Sequence, residues 1–363
     1  MTSRPTTPEE VAGLVKANPH VLPRAGGTKP ALSTPREGIT SLDLSGLNGV
    51  LEYDPGEFTF TALAGTPVSD VRALLAEHGQ QMPFDPPLAE RGATLGGTVA
   101  AGLNGPGRYR YGGVRDFILG VRFVDGEGTL VRGGGKVVKN AAGFDLPKLM
   151  VGSLGQFGVL VELTFKVFPK PEAYATLRRE AKRLSEALDV IDKLYASPLD
   201  MEAFDLMPDG VGAHTVYVRL GGLARALPAR LQRLSELIGA GDILEGHDDD
   251  ALWNGAREFA WVPRPAALVK VPLTPARISP LEAALDRTAT VRRYSAGGQV
   301  AWLAWPEPIS SLESLLNDQK LSGLVLWSGA QTVTQPLIGA RTGAAFFQRV
   351  KSALDPVKRF IEA

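Results

Sequence analysis

The sequence has 363 residues and no cysteine, which excludes disulfides, thiolate metal ligands, cysteine nucleophiles and a cysteinyl bond to a cofactor. Histidine is scarce. His20, His78, His214 and His247 are scattered, and only His247-Asp248-Asp249-Asp250 resembles a metal cluster, a run that reads better as a solvated acidic loop or helix start. Neither sign of charge is in excess: 39 Lys and Arg balance 39 Asp and Glu, so no global field draws the chain to nucleic acid or anionic lipid. No uncharged apolar run is long enough to cross a membrane, and Met1 to Glu10 lacks the apolar core of a signal peptide. The expectation is a soluble cytoplasmic protein, peripheral to a membrane only through partners. With 44% apolar and 21% charged residues the chain folds, and its length suggests about two domains.

What the sequence has in quantity is glycine, 41 residues, of which 18 fall between positions 91 and 158. Such a density marks backbone that takes positive φ or comes very close to something else, in a turn-rich β domain or around a ligand.

Around this stretch strands and helices mix. Thr7-Pro8-Glu9-Glu10 reads as an N-cap, a proline at N1 and a capping-box glutamate. Short β runs at 42–44, 50–53 and 58–62 precede a helix opening at Thr66-Pro67, and Asp125-Gly126-Glu127-Gly128 signals a hairpin. Residues 159–167 alternate as a half-buried strand, with Leu160, Glu162, Thr164 and Lys166 on the exposed side. Gly133-Gly134-Gly135 reads as a hairpin tip. Pro169-Lys170-Pro171 marks a boundary. Beyond it helices at 184–194 and 227–238 alternate with strands at 215–220, 266–271, 299–305 and 324–327, the texture of one antiparallel sheet covered by helices. The expected organisation is a first domain over 1–170, a second α+β domain over 171–343, and a closing helical segment, 344–363, that returns to the first.

Three familiar motifs fail. Gly105-Pro106-Gly107-Arg108-Tyr109-Arg110 lacks the third glycine of a Rossmann fingerprint, Gly135-Lys136 lacks the rest of a P-loop, and Val151 stands where a nucleophile elbow around Ser153 needs glycine. What survives is an ordered series of small-residue loops. Pro23-Arg24-Ala25-Gly26-Gly27-Thr28-Lys29 leaves successive backbone N–H groups bare, as an anion nest does. Pro86-Pro87 precedes Arg91-Gly92-Ala93-Thr94-Leu95-Gly96-Gly97-Thr98, a backbone against which a flat ligand can lie. Lys139-Asn140-Ala141-Ala142-Gly143-Phe144-Asp145-Leu146 then leads to Gly152-Ser153-Leu154-Gly155 and Gly158-Val159-Leu160.

In these loops the sequence resembles the flavoproteins with a PCMH-type FAD-binding domain, the family of vanillyl-alcohol oxidase and D-lactate dehydrogenases. The resemblance covers residues 1–170. The FAD-binding subunits of bacterial glycolate oxidase within it also share Pro83-Phe84-Asp85-Pro86-Pro87 and Val114-Arg115-Asp116-Phe117. It implies an α+β fold, a two-lobed PCMH-type domain gripping FAD plus an antiparallel-sheet cap domain. It implies pyrophosphate contacts from Ala25, Gly26, Gly27, Thr28 and Lys29 and from the Gly96-Gly97 turn, which Thr94 and Pro86 adjoin. Flavin or ribityl contacts are implied near Gly102, Gly112, Ile118, Gly152, Gly155 and Leu160. Lys139-Asn140 reads either as a solvated loop or as a flavin-side element, and Arg108 to Tyr111 either as a surface ribbon or as a cover for adenine. Ala25 stands where many relatives have glycine and requires negative φ; Ile361-Glu362 replaces an Asn-Pro of the family's ending.

The same resemblance implies an FAD-dependent oxidoreductase subunit of a glycolate oxidase, a 2-hydroxy-acid dehydrogenase complex, partnered by a homologous FAD-binding catalytic subunit and an iron-sulfur subunit. Catalytic relatives carry a Gly-Asp-Gly-Asn-Leu-His segment that this chain lacks, so no catalytic residue and no metal site is assigned. Arg219, Arg257, Arg264 and Lys270 are candidates to hold a carboxylate. Non-covalent FAD is expected, because the first loop ends in Thr28-Lys29. A scaffold without FAD and a self-sufficient dehydrogenase are the alternatives.

Overall fold

The computed structural model describes residues 2–135, 144–210, 212–286, 288–329, 331, 333 and 335–362. The chain falls into two compact units, one of Met1–Asn104, Gly112–Lys170 and Thr342–Ala363, the other of Gly105–Tyr111 and Pro171–Arg341. Gly105–Tyr111, placed by the sequence reading inside the first domain, therefore counts with the second. Arg110 explains why: it pairs with Asp200 at 2.6 Å and Glu202 at 2.9 Å, while the Tyr109 ring lies 4.6 Å from that of Phe204. This segment is therefore not a free surface ribbon.

The first unit holds two main sheets. Strands Thr2–Ser3, Thr40–Asp43 and Val21–Arg24 pair in parallel, in that spatial order. The helix Pro8–Ala17 crosses between the first and the last of these, its N-terminus closed by Thr7 Oγ1 accepting from Glu10 N at 3.2 Å. Its Val11 and Val15 join Val21, Leu42, Leu44, Val159, Val161 and Phe360 in a core whose members are worth roughly 1.5–3 kcal/mol each when fully buried. The second sheet is antiparallel and five-stranded, ordered Val50–Asp54, Thr59–Leu63, Val159–Lys166, Ile118–Val124, Leu130–Gly134.

Two expectations are corrected here. Val159–Lys166 is the central strand, so Leu160 and Thr164 on the supposedly exposed side are buried as well, Thr164 sharing a 2.9 Å hydroxyl contact with Thr61. Gly133 and Gly134 are not a hairpin tip: they end the strand Leu130–Gly134, paired with Val121 and Gly120, and the reversal lies at Asp125–Gly128. Gly134 is small because a Cβ would stand 2.1 Å from the Leu119 carbonyl oxygen.

The second unit is built on a nine-stranded, wholly antiparallel sheet ordered Asp242–Glu245, Ala173–Ala181, His214–Gly222, Ala203–Pro208, Val291–Ser295, Val300–Trp305, Ala267–Pro272, Ser322–Trp327, Leu337–Gly339. Alternation along the strands separates its faces. Leu177, Val218, Leu206, Leu303, Val269 and Val325 supply an apolar face. Helices Leu184–Ala196, Leu227–Ile238 and Ile309–Asp318 pack on the sheet. The opposite face carries Thr176, Arg219, Asp205, Arg293, Trp302 and Lys270, and the helix Gly246–Arg257 docks over part of it through Trp253.

Candidate functional site

Within the first unit, the strand Val21–Arg24 delivers the loop 25–29 to the rim of a cleft that is partly open to solvent. Its other walls are the start of the helix Leu95–Ala101, the turn Leu154–Gly155, and an apolar lining from Leu44, Ala64 and Leu160. Thr94 closes that helix by accepting from Gly97 N at 3.3 Å. The glycines serve different ends. A Cβ on Gly26 would meet the Gly92 carbonyl oxygen at 1.9 Å, and one on Gly96 would meet Ala64 Cβ at 2.9 Å, so both are glycine because segments touch there. Gly97 is different: the nearest atoms to its missing Cβ are Thr94 Oγ1 at 3.2 Å and Lys29 Nζ at 3.8 Å, so a side chain would enter the space in front of the ammonium.

Lys29 supplies the charge. It is 9% exposed, its Nζ donates to Thr28 Oγ1 at 2.9 Å, and among the described residues no carboxylate pairs with it. Burial pulls its pKa from 10.5 to about 8. A buried ammonium without a counter-charge is costly, and an anion in the cleft removes that cost. Bare backbone, the cations Arg24 and Lys29 and apolar walls together fit a dinucleotide.

Of the residues singled out in the sequence, Ala25, Gly26, Gly27, Thr28, Lys29, Thr94, Gly96, Gly97, Gly155 and Leu160 line this one cleft. Ala25 lies outside the positive-φ residues and is accommodated. Pro86, Gly102, Gly112, Ile118 and Gly152 are not among its walls. The Pro86 carbonyl accepts from Arg72 at 2.7 Å, Ile118 is buried in its strand, and Gly102 at φ +60° ends the helix Leu95–Ala101 against Gly152, where a Cβ would stand 3.2 Å from the Gly152 Cα. Gly112 has φ +92° beside Asp116. Lys139 and Asn140 lie outside the described residues. Sequence reasoning missed Leu32, Ser33, Leu44 and Ala64 in the lining, while Gly158 stood in the last glycine-rich run without an assigned contact.

In the second unit, Arg219 clasps Asp249 through Nε at 2.9 Å and a terminal nitrogen at 2.5 Å, and Asp249 also accepts from Thr176 at 2.5 Å. The acidic run is a helix start as expected, with His247, Asp248 and Asp250 exposed and Asp249 alone buried, at 1% exposure. Arg219 is thereby committed to the fold, and Arg264 is exposed. Lys270 shares a register row with Trp302 and Arg293, and burial, then the Arg108 charge, lowers its pKa from 10.5 to about 8. Burial likewise raises the Glu202 carboxyl above its ordinary range, against the pull of Arg110. His214 is buried with Nδ1 3.0 Å from the Gly212 carbonyl oxygen, and His247 is exposed.

Residues 1–134 match the family model described as FAD binding domain. The glycolate oxidase subunit GlcE of Escherichia coli is 43% identical over 191 residues, 53% of this chain and 54% of that protein. D-lactate dehydrogenase (cytochrome) 1, mitochondrial, of Saccharomyces cerevisiae is 28% identical over 71% of this chain and 49% of its own length. The glycolate oxidase subunit GlcD of Bacillus subtilis is 32% identical over 51% of this chain and 40% of its own length. The chain spans about half the length of the curated relatives it matches. A solved alkyldihydroxyacetonephosphate synthase superimposes with a TM-score of 0.72 at 15% identity, covering 98% of this chain and 74% of the other, which shows the fold.

Proposed function

The chain belongs, through its FAD-binding domain, to the PCMH-type FAD-binding family, and from that premise we propose that it is the FAD-binding subunit of a 2-hydroxy-acid dehydrogenase complex of the glycolate oxidase kind. The observation that carries the reading is the buried, unpaired Lys29 ammonium facing the bare backbone of Gly97 in a cleft of that domain. Ala25 to Lys29 and Thr94 to Gly97 would hold the pyrophosphate, while Leu44, Ala64 and Leu160 exclude water beside it. FAD, when bound, supplies the capacity to accept and pass on electrons, and the protein positions and tunes it. The attachment is non-covalent, since no cysteine exists and the loop facing the cleft carries no histidine.

The partners in this reading are a homologous FAD-binding subunit and an iron-sulfur subunit, in an assembly on the cytoplasmic side. No described helix is long and apolar enough to cross a membrane. A partner is invoked because oxidation of a 2-hydroxy acid needs a base for the hydroxyl proton. The motif that supplies it in catalytic relatives is missing from this sequence. The purified chain is expected to take up FAD and to release it as yellow supernatant on acid precipitation. With glycolate or D-lactate and a dye acceptor it is expected to stay below about 1 s⁻¹ alone, the low end of ordinary enzymes. Colour retained by the precipitate overturns non-covalent binding, and faster turnover by the chain alone overturns the subunit role.

A further inference from the structure

The helix Ala344–Leu354 docks on the first unit in an unusual way: the one residue of it that is buried is a lysine, Lys351. Phe346 on the same helix is 59% exposed, and the apolar contact the helix makes is the Phe347 ring against Phe157, centroids 5.2 Å apart. The Lys351 ammonium donates to three acceptors from three segments: the Gln156 carbonyl at 2.9 Å, the Asp355 carboxylate at 2.7 Å and the Phe360 carbonyl at 2.6 Å. Three is the full donor capacity of an ammonium.

Each partner leads to the cleft. Gln156 directly follows Leu154–Gly155, which line it. Asp355 accepts from the backbone N–H groups of Arg359 and Phe360 at 2.8 and 2.9 Å and so folds the tail back on itself. The returning tail bonds to Val21, whose N–H donates to the Arg359 carbonyl at 2.9 Å, and Val21 opens the strand that becomes Pro23 to Lys29. A Cβ on Gly155 would lie 2.9 Å from Pro23, so the two walls also abut at the cleft itself.

Resting on the reading of this cleft as the FAD site, we propose that Lys351 is a positioning residue: with Asp355 and the tail it ties the wall at Leu154–Gly155 to the wall at Pro23–Lys29 and so presets the width of the cofactor cleft. It touches no cofactor atom in this role. Its contribution is preorganisation, which appears in affinity because a slack cleft must be ordered on binding.

Lys351→Met strands the buried Asp355 carboxylate and risks the fold, so the decisive variant is Lys351→Met with Asp355→Asn, which removes both charges together. Two measurements are made on the full-length chain. In an FAD titration the double variant is expected to bind about tenfold more weakly, a loss of about 1.4 kcal/mol, and to release flavin faster. In hydrogen exchange without FAD, amides at 22–29 and 154–158 are expected to lose protection together. Leu234→Ala in the second unit, with a comparable fall in Tm, should change neither. Affinity within about twofold of wild type, or lost protection in one wall without the other, overturns the coupling. Should the wild-type chain take up no FAD, the cofactor reading fails, and hydrogen exchange alone decides whether the walls are tied.

Discussion

In the cleft of the first unit much of the polar surface is backbone, laid bare by Gly27 and Gly97 beside a buried ammonium, and among the described residues no carboxylate answers that charge. On the charged face of the nine-stranded sheet the polar surface is side chain, and there Arg219 meets Asp249 while Arg293 meets Asp205 at 2.6 Å and Ser295 donates to Asp205 at 2.8 Å. One region is unfinished without a ligand. In the other, Arg219 and Arg293 each meet a carboxylate of the same unit. Buried charge alone therefore does not mark a site; a buried charge with no partner beside space for one does.

The largest effect should separate the two regions outright. Asp249→Ala leaves Arg219 only the exposed Asp250 carboxylate at 3.4 Å and should lower stability by about 3 kcal/mol, read as a fall in the urea midpoint of unfolding. FAD affinity of the folded variant should stay within about twofold of wild type. A parallel loss of affinity would mean that the face helps hold the cofactor.

Next in size is Gly97→Val. The Cβ position is free of backbone clashes, so the protein should fold, yet the side chain occupies the space before Lys29. Flavin binding should weaken by about 100-fold or more, about 2.7 kcal/mol, by titration against FAD absorbance. Gly96→Val, by contrast, collides with Ala64 and should be lost to misfolding, so the pair distinguishes a glycine kept for a ligand from one kept for packing.

That distinction explains what the sequence disclosed. The loops at 25–29 and 94–97 were legible because a need for bare backbone is written locally, in consecutive small residues. The hairpin at Asp125–Gly128 and the cap at Thr7 were legible for the same reason, whereas the cap at Thr94 was not read from the sequence. The ion pairs of the second unit were not, since Arg293 and Asp205 are 88 residues apart and nothing local marks either as the other's partner. Gly102, Gly112 and Gly152 lie outside the lining of the cleft, and their positive φ at a helix end or turn asks for glycine as strongly as a ligand does. The burial of both faces of Val159–Lys166 was hidden because its threonine and glutamate read as solvent-facing, whereas centrality in a sheet is a property of topology.

Lys29→Met tests the unanswered charge more finely. At pH 7 it should weaken FAD binding by about tenfold. The pH profile gives the sharper signature. With the FAD-free pKa near 8 and the unfolded value at 10.5, the cost of burying the ammonium is fully present below pH 8 and is relieved as pH rises toward 10.5, where the unfolded state binds more protons. The FAD-free chain should therefore gain stability over that window. Affinity runs the other way: phosphate favours the protonated form, so binding should be level below pH 8 and fall above it. Both slopes should vanish in Lys29→Met, and slopes that persist would assign the titration to another group.

The smallest effect concerns Thr94, which belongs to the cleft by position but is assigned here to the scaffold. Its hydroxyl accepts from Gly97 N at 3.3 Å and so caps the helix Leu95–Ala101, while its side chain is buried beside Gly26. Thr94→Val keeps the shape and removes the acceptor, which should cost about 1 kcal/mol of stability, the usual value of a lost N-cap. Thr94→Ser keeps the acceptor and should stay near wild type. If Thr94 acts only by holding the Gly97 backbone in place, the Val variant should lose about two- to fivefold in FAD affinity, no more than its stability loss accounts for. An affinity loss well beyond that, with Thr94→Ser still normal, would show the hydroxyl bonding the ligand itself, and the cleft would then owe part of its polarity to a side chain, as the sheet face of the second unit does.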